Sequence, residues 1–144
     1  MKIYLASPFF DNKERSTVEE VAYILRGKNL DVFVPMEHKI ENGWDMSNED
    51  WGKAVFDMDK NFLDDCDIMV VLYYGLYSDS GTAFEVGYFY STKKPIICVQ
   101  LNKEKTSLMI VNSSTVYLQG LDELKNFDFN NIQNSINCKN IEQI

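Results

Sequence analysis

Cysteine, histidine, proline and basic residues are all scarce in this chain of 144 residues. The three cysteines, Cys66, Cys98 and Cys138, are odd in number, widely spaced and without a CxxC pair, so no disulfide framework organises the fold. Cys66 and Cys98 adjoin or sit in apolar runs, which reads as reduced, buried thiols of a cytoplasmic protein. One histidine beside scattered cysteines gives no metal-ligand spacing, so neither a metal nor a cofactor is expected. The glycine-rich loop of a P-loop nucleotide binder and the GxGxxG pattern are both missing, which argues against a kinase or a dinucleotide enzyme. Lys and Arg total 14 against 22 Asp and Glu, a net charge of −8. Such a surface repels a phosphate backbone, so nucleic acid is not an expected partner, while a small uncharged ligand is compatible. No apolar run reaches the ~18 residues of a membrane span, so no membrane partner is expected. The start, "MKIYLASPFF", enters a strand pattern directly and shows no secretory cleavage region.

What is present suits one domain over residues 1–144, with a hydrophobic fraction of 45%. Aromatic residues make up 13%, including eight Tyr and nine Phe, and such side chains build cores or flat walls for planar ligands. "KIYLA" (2–6) reads as a buried strand stopped by "SP". In "STVEEVAYILRGKNL", Val18, Val21, Ala22 and Leu25 fall at helical spacing, Thr17 with Glu20 suggests a capping box, and Gly27 closes the helix. "DVFVP" (31–35) reads as a second strand and 36–46 as a loop. Ser47 with Asp50 marks the start of another helix, whose apolar face carries Trp51, Val55, Met58 and Phe62. "DIMVVLYY" (67–74) is a continuous β-rich run, as expected of a strand buried on both faces. "GLYSDSG" is a loop, "TAFEVGYFYSTKK" a helix, "PIICVQL" a fourth strand and "STVYL" (114–118) a fifth. The polar run 130–144 reads as a weak helix or a frayed tail.

This alternation predicts an α/β fold: a doubly wound sheet of about five parallel strands with helices on both faces. Ligands of such sheets bind beyond the carboxyl ends of the strands. The segments there are "SPFFDNKER", the 36–46 loop and "YGLYSDSG".

One carboxylate stands out. Glu85 lies in the apolar "TAFEVGYFY", with no Lys or Arg three or four residues away. An ordinary helical Glu sits on a solvent strip, but this helix is apolar nearly all round. A partly buried, unpaired carboxylate costs free energy and is usually kept for chemistry. Its place near a helix N-terminus is expected to favour the ionised form, which a carboxylate nucleophile needs. Asp59 also leans on an apolar face, beside Val55, Phe62 and Leu63. Asp79, just before Ser80-Gly81, has helix capping as its ordinary role. Carboxylates at strand ends around one cleft suggest chemistry on a glycosidic bond, one as nucleophile and another as proton donor. Phe9, Phe10 and Trp44 in the facing loops suit a planar leaving group such as a nucleobase.

"KIYLASPFF", "DCDIMVVLYY", "DSGTAFEVGY" and "SLMIVNSS" together resemble the nucleoside 2-deoxyribosyltransferase family, over roughly residues 2–130. The most specific piece is Asp79 followed by Glu85 inside "GTAFEVG". The resemblance implies a flavodoxin-like fold, a cytoplasmic nucleotide-salvage role and a dimer-based homo-oligomer, often a hexamer. It implies 2′-deoxynucleosides and free nucleobases as small-molecule partners, and transfer of 2-deoxyribose between bases by a retaining double displacement. Glu85 then forms the covalent 2-deoxyribosyl intermediate, Asp59 moves the proton to and from the base, and Asp79 orients the substrate. Tyr4 contacts the nucleophile, Phe9 packs on the base, and Met109 covers the sugar of a neighbouring subunit. Ser7 and Gly81 fall within the matched motifs, as substrate-binding positions.

There are departures. Ser107 stands where the family often has Asn, and Ser there is a feature of the related 2′-deoxynucleoside 5′-monophosphate N-hydrolases, the alternative activity. Arg15, after the first strand, is placed on a helix. Lys39 lies near a base-contacting Gln of many members. The chain ends "IEQI" rather than with the Tyr of some members. A non-catalytic nucleotide- or base-binding module is the third reading, and it predicts that replacing Glu85 leaves binding intact. On the enzyme reading, activity should fall on the acid side as Glu85 protonates and on the alkaline side as Asp59 loses its proton.

Overall fold

The computed structural model describes every residue from Met1 to Ile144. Strands and helices alternate: β1 (Lys2–Ala6), α1 (Asn12–Gly27), β2 (Asp31–Phe33), α2 (Asn48–Asp65), β3 (Ile68–Tyr73), α3 (Ser80–Ser91), β4 (Ile96–Gln100), α4 (Leu108–Ser113), β5 (Val116–Gln119), α5 (Gly120–Asn126) and β6 (Ser135–Ile136). The sheet has six strands in the order β2-β1-β3-β4-β5-β6. Every pairing is parallel.

β3 and β4 are buried along their whole length because helices cover both faces, which is why "IMVVLY" and "IICVQ" carry no polar alternation. On one face Val18, Val21, Ala22 and Leu25 of α1 and Leu124 of α5 pack on Ile3, Leu5, Val70 and Val99. On the other, Leu63 of α2, Val86 and Phe89 of α3 and Ile110 and Val111 of α4 pack on Tyr4, Met69, Val71 and Cys98. Cys66 and Cys98 are free and buried, as the apolar runs around them suggested.

Three local expectations change. The first helix begins at Asn12, not near Thr17, because Asp11 accepts from the Glu14 backbone N–H at 2.8 Å and Glu14 reaches back to the Asp11 N–H. That reciprocal pair satisfies the donors that a helix start leaves open. The sheet has a sixth strand. It lies within 130–144, a run that also pairs Gln143 with Thr106. Two short helices, α4 and α5, occupy segments where no helix was expected.

Chain order moves outward in opposite directions from β1 and β3, through β2 on one side and β4 on the other. A crevice opens at such a reversal, beyond the strand ends. The helices that follow β2 and β3, α2 and α3, flank it on the same face of the sheet.

Candidate active site

α3 is positioned by its own first residues. Asp79 is extended and caps it, accepting from the Thr82 backbone N–H at 3.2 Å and from the Thr82 hydroxyl. A Cβ at Gly81 would sit 2.9 Å from Asp79 Oδ2, so a side chain there would push the capping carboxylate aside. With the helix start fixed, Glu85 points inward toward β1. The Tyr4 hydroxyl, on a ring with no solvent exposure, donates to Glu85 Oε1 at 2.6 Å.

Asp59 comes from α2. It is half-buried, and its Oδ1 is enclosed with no hydrogen-bond partner. An enclosed acceptor left open is costly unless a ligand completes it. Asp59 and Glu85 line one cleft of about 300 Å³, with Trp51, Val55, Phe84 and Gly81 in its wall.

Burial decides the charge states. It pushes Glu85 up to about 8; the Tyr4 hydrogen bond pulls the other way, and the charges of Asp59 and Asp79 add to the rise. Burial alone pushes Asp59 up to about 6. Tyr4 is driven far above its usual range by burial first, then by the charges of Glu85 and Asp59. The expectation of an ionised Glu85 is therefore corrected for the free protein. Desolvation costs the carboxylate more than the helix N-terminus returns. The two carboxyl groups titrate as a pair, holding one proton between about pH 6 and about 8.

The other expected residues are spread around this cleft. Ser7 is buried and its hydroxyl donates to the Pro8 carbonyl at 2.8 Å. Phe9 stacks on Phe10 and packs against the α1 side of the core, with Arg15 of α1 5.7 Å from its ring. Lys39 lines an adjoining cavity of about 270 Å³ with His38, Ile40, Gly43, Trp44, Trp51 and Val55. Ser107 and Met109 line a groove of about 600 Å³ against the other flank of α3, made by Ala83, Val86, Gly87 and Tyr90. Ser107 caps α4 through its hydroxyl, and Met109 is 72% exposed. Within one chain, then, the structure joins Tyr4, Glu85, Asp59 and Gly81, and keeps Ser107 and Met109 apart from them.

Trp51 and Val55 are the residues that sequence reasoning left in the core. Trp51 is 46% exposed, and both side chains face the cleft. The signal was present: Trp51, Val55 and Asp59 stand four residues apart, so they share one stripe of α2.

These features define the class: a doubly wound α/β protein with a partly desolvated pair of carboxyl groups at the reversal of its sheet. The chain belongs to the nucleoside 2-deoxyribosyltransferase family, whose model matches residues 3–141. It is similar to a nucleoside deoxyribosyltransferase of Limosilactobacillus fermentum, 28% identical over 145 residues, spanning 90% of this chain and 86% of that one. It is also similar to a putative 2′-deoxynucleoside 5′-phosphate N-hydrolase of Thermofilum pendens, 29% identical over 113 residues and 76% of each chain. Among solved structures, a 2-deoxyribosyltransferase of Bacillus psychrosaccharolyticus superposes with a TM-score of 0.83 at 32% identity, over 94% of this chain and 98% of that one.

Proposed function

We propose that this enzyme transfers 2-deoxyribose from one nucleobase to another through a covalent ester on Glu85. The observation that carries the reading is the pairing, in one cleft, of a Tyr4-held Glu85 with an Asp59 whose Oδ1 has no partner. Glu85 attacks the anomeric carbon, and the carbon–nitrogen bond breaks with its electron pair leaving on the base. Asp59 gives its proton to the departing base. The incoming base then attacks the same carbon from the vacated side, returns a proton to Asp59 and releases the Glu85 carboxylate. Two displacements retain configuration. Asp79, already fixed as the cap, orients the substrate through its remaining lone pairs. Phe84 and Trp51 exclude water from the ester, which favours transfer over hydrolysis.

The productive form needs Glu85 ionised and Asp59 protonated. In the free protein the proton rests mainly on Glu85, the more basic member of the pair. The productive arrangement is a minor tautomer that substrate binding must favour.

Nucleosides without a 5′-phosphate fit this cleft better than monophosphates. Lys60 is the one cation in its wall, and it is held by Asp64 at 2.9 Å. The carboxylates add negative charge that repels a phosphate. The second reading, hydrolysis of 2′-deoxynucleoside 5′-monophosphates, draws on Ser107 and on the similarity to the N-hydrolase. A second copy of the chain is part of the proposal. Met109 is exposed and, with the half-buried Ser107, lines the flank of α3 away from Glu85; on this reading the two complete the site of a neighbouring copy.

The test is chromatographic. The enzyme is incubated with 2′-deoxyinosine and free adenine, and in parallel with 2′-deoxynucleoside 5′-monophosphates. The expected product is 2′-deoxyadenosine, absent with Glu85→Ala. Free base and deoxyribose 5-phosphate formed only from the monophosphates would replace this reading with the second.

A further inference from the structure

We propose that Thr106 is a positioning residue for the reaction: its buried hydroxyl, linked to Tyr117 and Gln100, holds Ser107 and Met109 where they complete the site of a neighbouring copy. The inference rests on the transferase reading and its second copy, and adds to them the residues that aim the shared segment.

Three observations lead there. First, a chain of buried polar side chains lies beneath the end of β4. Thr106, Tyr117 and Gln100 are each at most 1% exposed. The Tyr117 hydroxyl donates to Gln100 Oε1 at 2.5 Å, so the Thr106 hydroxyl, 2.8 Å away, donates to Tyr117. The Gln100 amide donates in turn to the Glu104 carbonyl at 2.8 Å, which braces the loop 101–106 against itself. A buried hydrogen bond adds little stability over apolar groups of the same shape, whereas a fully paired chain fixes one arrangement. Second, the same loop is held from outside by backbone. The Thr106 N–H donates to the Glu142 carbonyl and the Ile144 N–H to the Thr106 carbonyl, both at 2.9 Å. The Lys105 carbonyl accepts from the Leu76 N–H at 3.0 Å. A Cβ at Gly75, whose φ is +60°, would lie 2.5 Å from that carbonyl, so only glycine allows the approach. Third, the segment that follows is too short to aim itself. α4 has six residues, fewer than a helix needs to stand on its own propensity. Ser107 is its cap, and its backbone N–H meets the Tyr73 hydroxyl at 3.4 Å. Met109 follows two residues later. Their direction is inherited from Thr106, the residue before them.

The test combines single variants with mixed oligomers, assayed for 2′-deoxyadenosine formed from 2′-deoxyinosine and adenine. Thr106→Val keeps the shape of the side chain and removes the hydroxyl. It is expected to lower kcat/KM about 10- to 100-fold, the scale on which a misplacement of about 1 Å acts. Thr106→Ser keeps the hydroxyl and is expected to restore the rate. Tyr117→Phe breaks the same link from the β5 side and is expected to behave as Thr106→Val does. Chains carrying Thr106→Val and Glu85→Gln are then co-expressed with different tags and purified through both. In the mixed oligomer the intact Glu85 of one chain meets the correctly aimed segment of the other, so activity is expected to exceed that of either parent. A merely structural defect stays with the Thr106→Val chain and its own Glu85, and mixing does not relieve it. Native activity in Thr106→Val and Tyr117→Phe overturns the proposal, as does an impaired Thr106→Val chain that mixing fails to rescue. A native enzyme that sediments as a monomer under assay conditions and is fully active overturns it as well, because no neighbour is then served. No transfer by the native enzyme removes the transferase reading instead. The same mixtures are then read on free base released from 2′-deoxynucleoside 5′-monophosphates, where rescue supports the positioning role and its absence overturns it.

Discussion

Replacing Tyr4 with Phe removes one hydroxyl from the core and leaves the ring in place against Phe33. What is lost is the 2.6 Å hydrogen bond to Glu85, which favours the ionised carboxylate. A hydrogen bond to a charged group contributes about 1.5–3 kcal/mol. At about 1.4 kcal/mol per pH unit, its loss raises the Glu85 pKa by roughly one to two units. The native pair titrates near 6 and 8, with Glu85 as the upper member. The alkaline limb of kcat/KM therefore moves from about 8 to roughly 9–10, while the acid limb, set by Asp59, stays near 6. Between the limbs the share of the productive tautomer falls by the same factor, so the plateau drops about 10- to 100-fold. The variant is slower yet holds its rate to higher pH. The assay is a pH–rate profile at limiting 2′-deoxyinosine with adenine as acceptor. An acid limb that moves up while the alkaline limb stays would refute the reasoning, because it would make Glu85 the more acidic partner.

Glu85→Gln should abolish transfer and stabilise the fold in a pH-dependent way. The native carboxyl titrates at about 8 in the fold against 4.5 when exposed, so ionising it costs the native protein stability as pH rises through that window. Thermal unfolding should show a larger gain for Gln at pH 8 than at pH 5, and an equal gain at both would contradict the assigned burial cost. Asp59→Asn should reduce kcat about 10²- to 10⁴-fold and erase the alkaline limb, since no proton donor is left to ionise, leaving a single rise with pH as Glu85 loses its proton; a retained alkaline fall would assign that limb to another group. Asp79→Ala should cost about 1 kcal/mol in urea unfolding through loss of the α3 cap. It should also lower the alkaline limb, because the Asp79 charge contributes to the high Glu85 pKa. An unchanged urea midpoint would remove the capping role.

Much of the fold was legible because the hydrophobic runs are unambiguous. "IMVVLY" and "IICVQ" have no polar alternation, and only strands covered on both faces tolerate that. Ser47 and Asp79 announced their helices correctly, since each side chain accepts a backbone N–H from the first turn. Thr17 misled, because an equally good cap at Asp11 lies nearer the strand and wins the extra turn. β6 was invisible: two residues in a polar run owe their pairing to β5, not to their own pattern. Within the site, Glu85 and Asp59 were legible as carboxyl groups on apolar faces. The charge state of Glu85 was not, because it depends on how far burial outweighs the helix start and the Tyr4 hydroxyl. Trp51 was hidden for a related reason. The sequence marks an apolar stripe but not whether protein or ligand covers it.

The covalent intermediate is the step on which the mechanism turns, and peptide mass spectrometry after an acid quench detects it. The enzyme is mixed with 2′-deoxyinosine without an acceptor, quenched in acid and digested. The account predicts a deoxyribosyl adduct on the peptide containing Glu85, absent in Glu85→Gln, and discharged as 2′-deoxyadenosine when adenine is added before the quench. Substrate consumed at full rate with no adduct on any peptide would contradict it, and would leave a single direct displacement by the acceptor or by water as the reaction of this cleft.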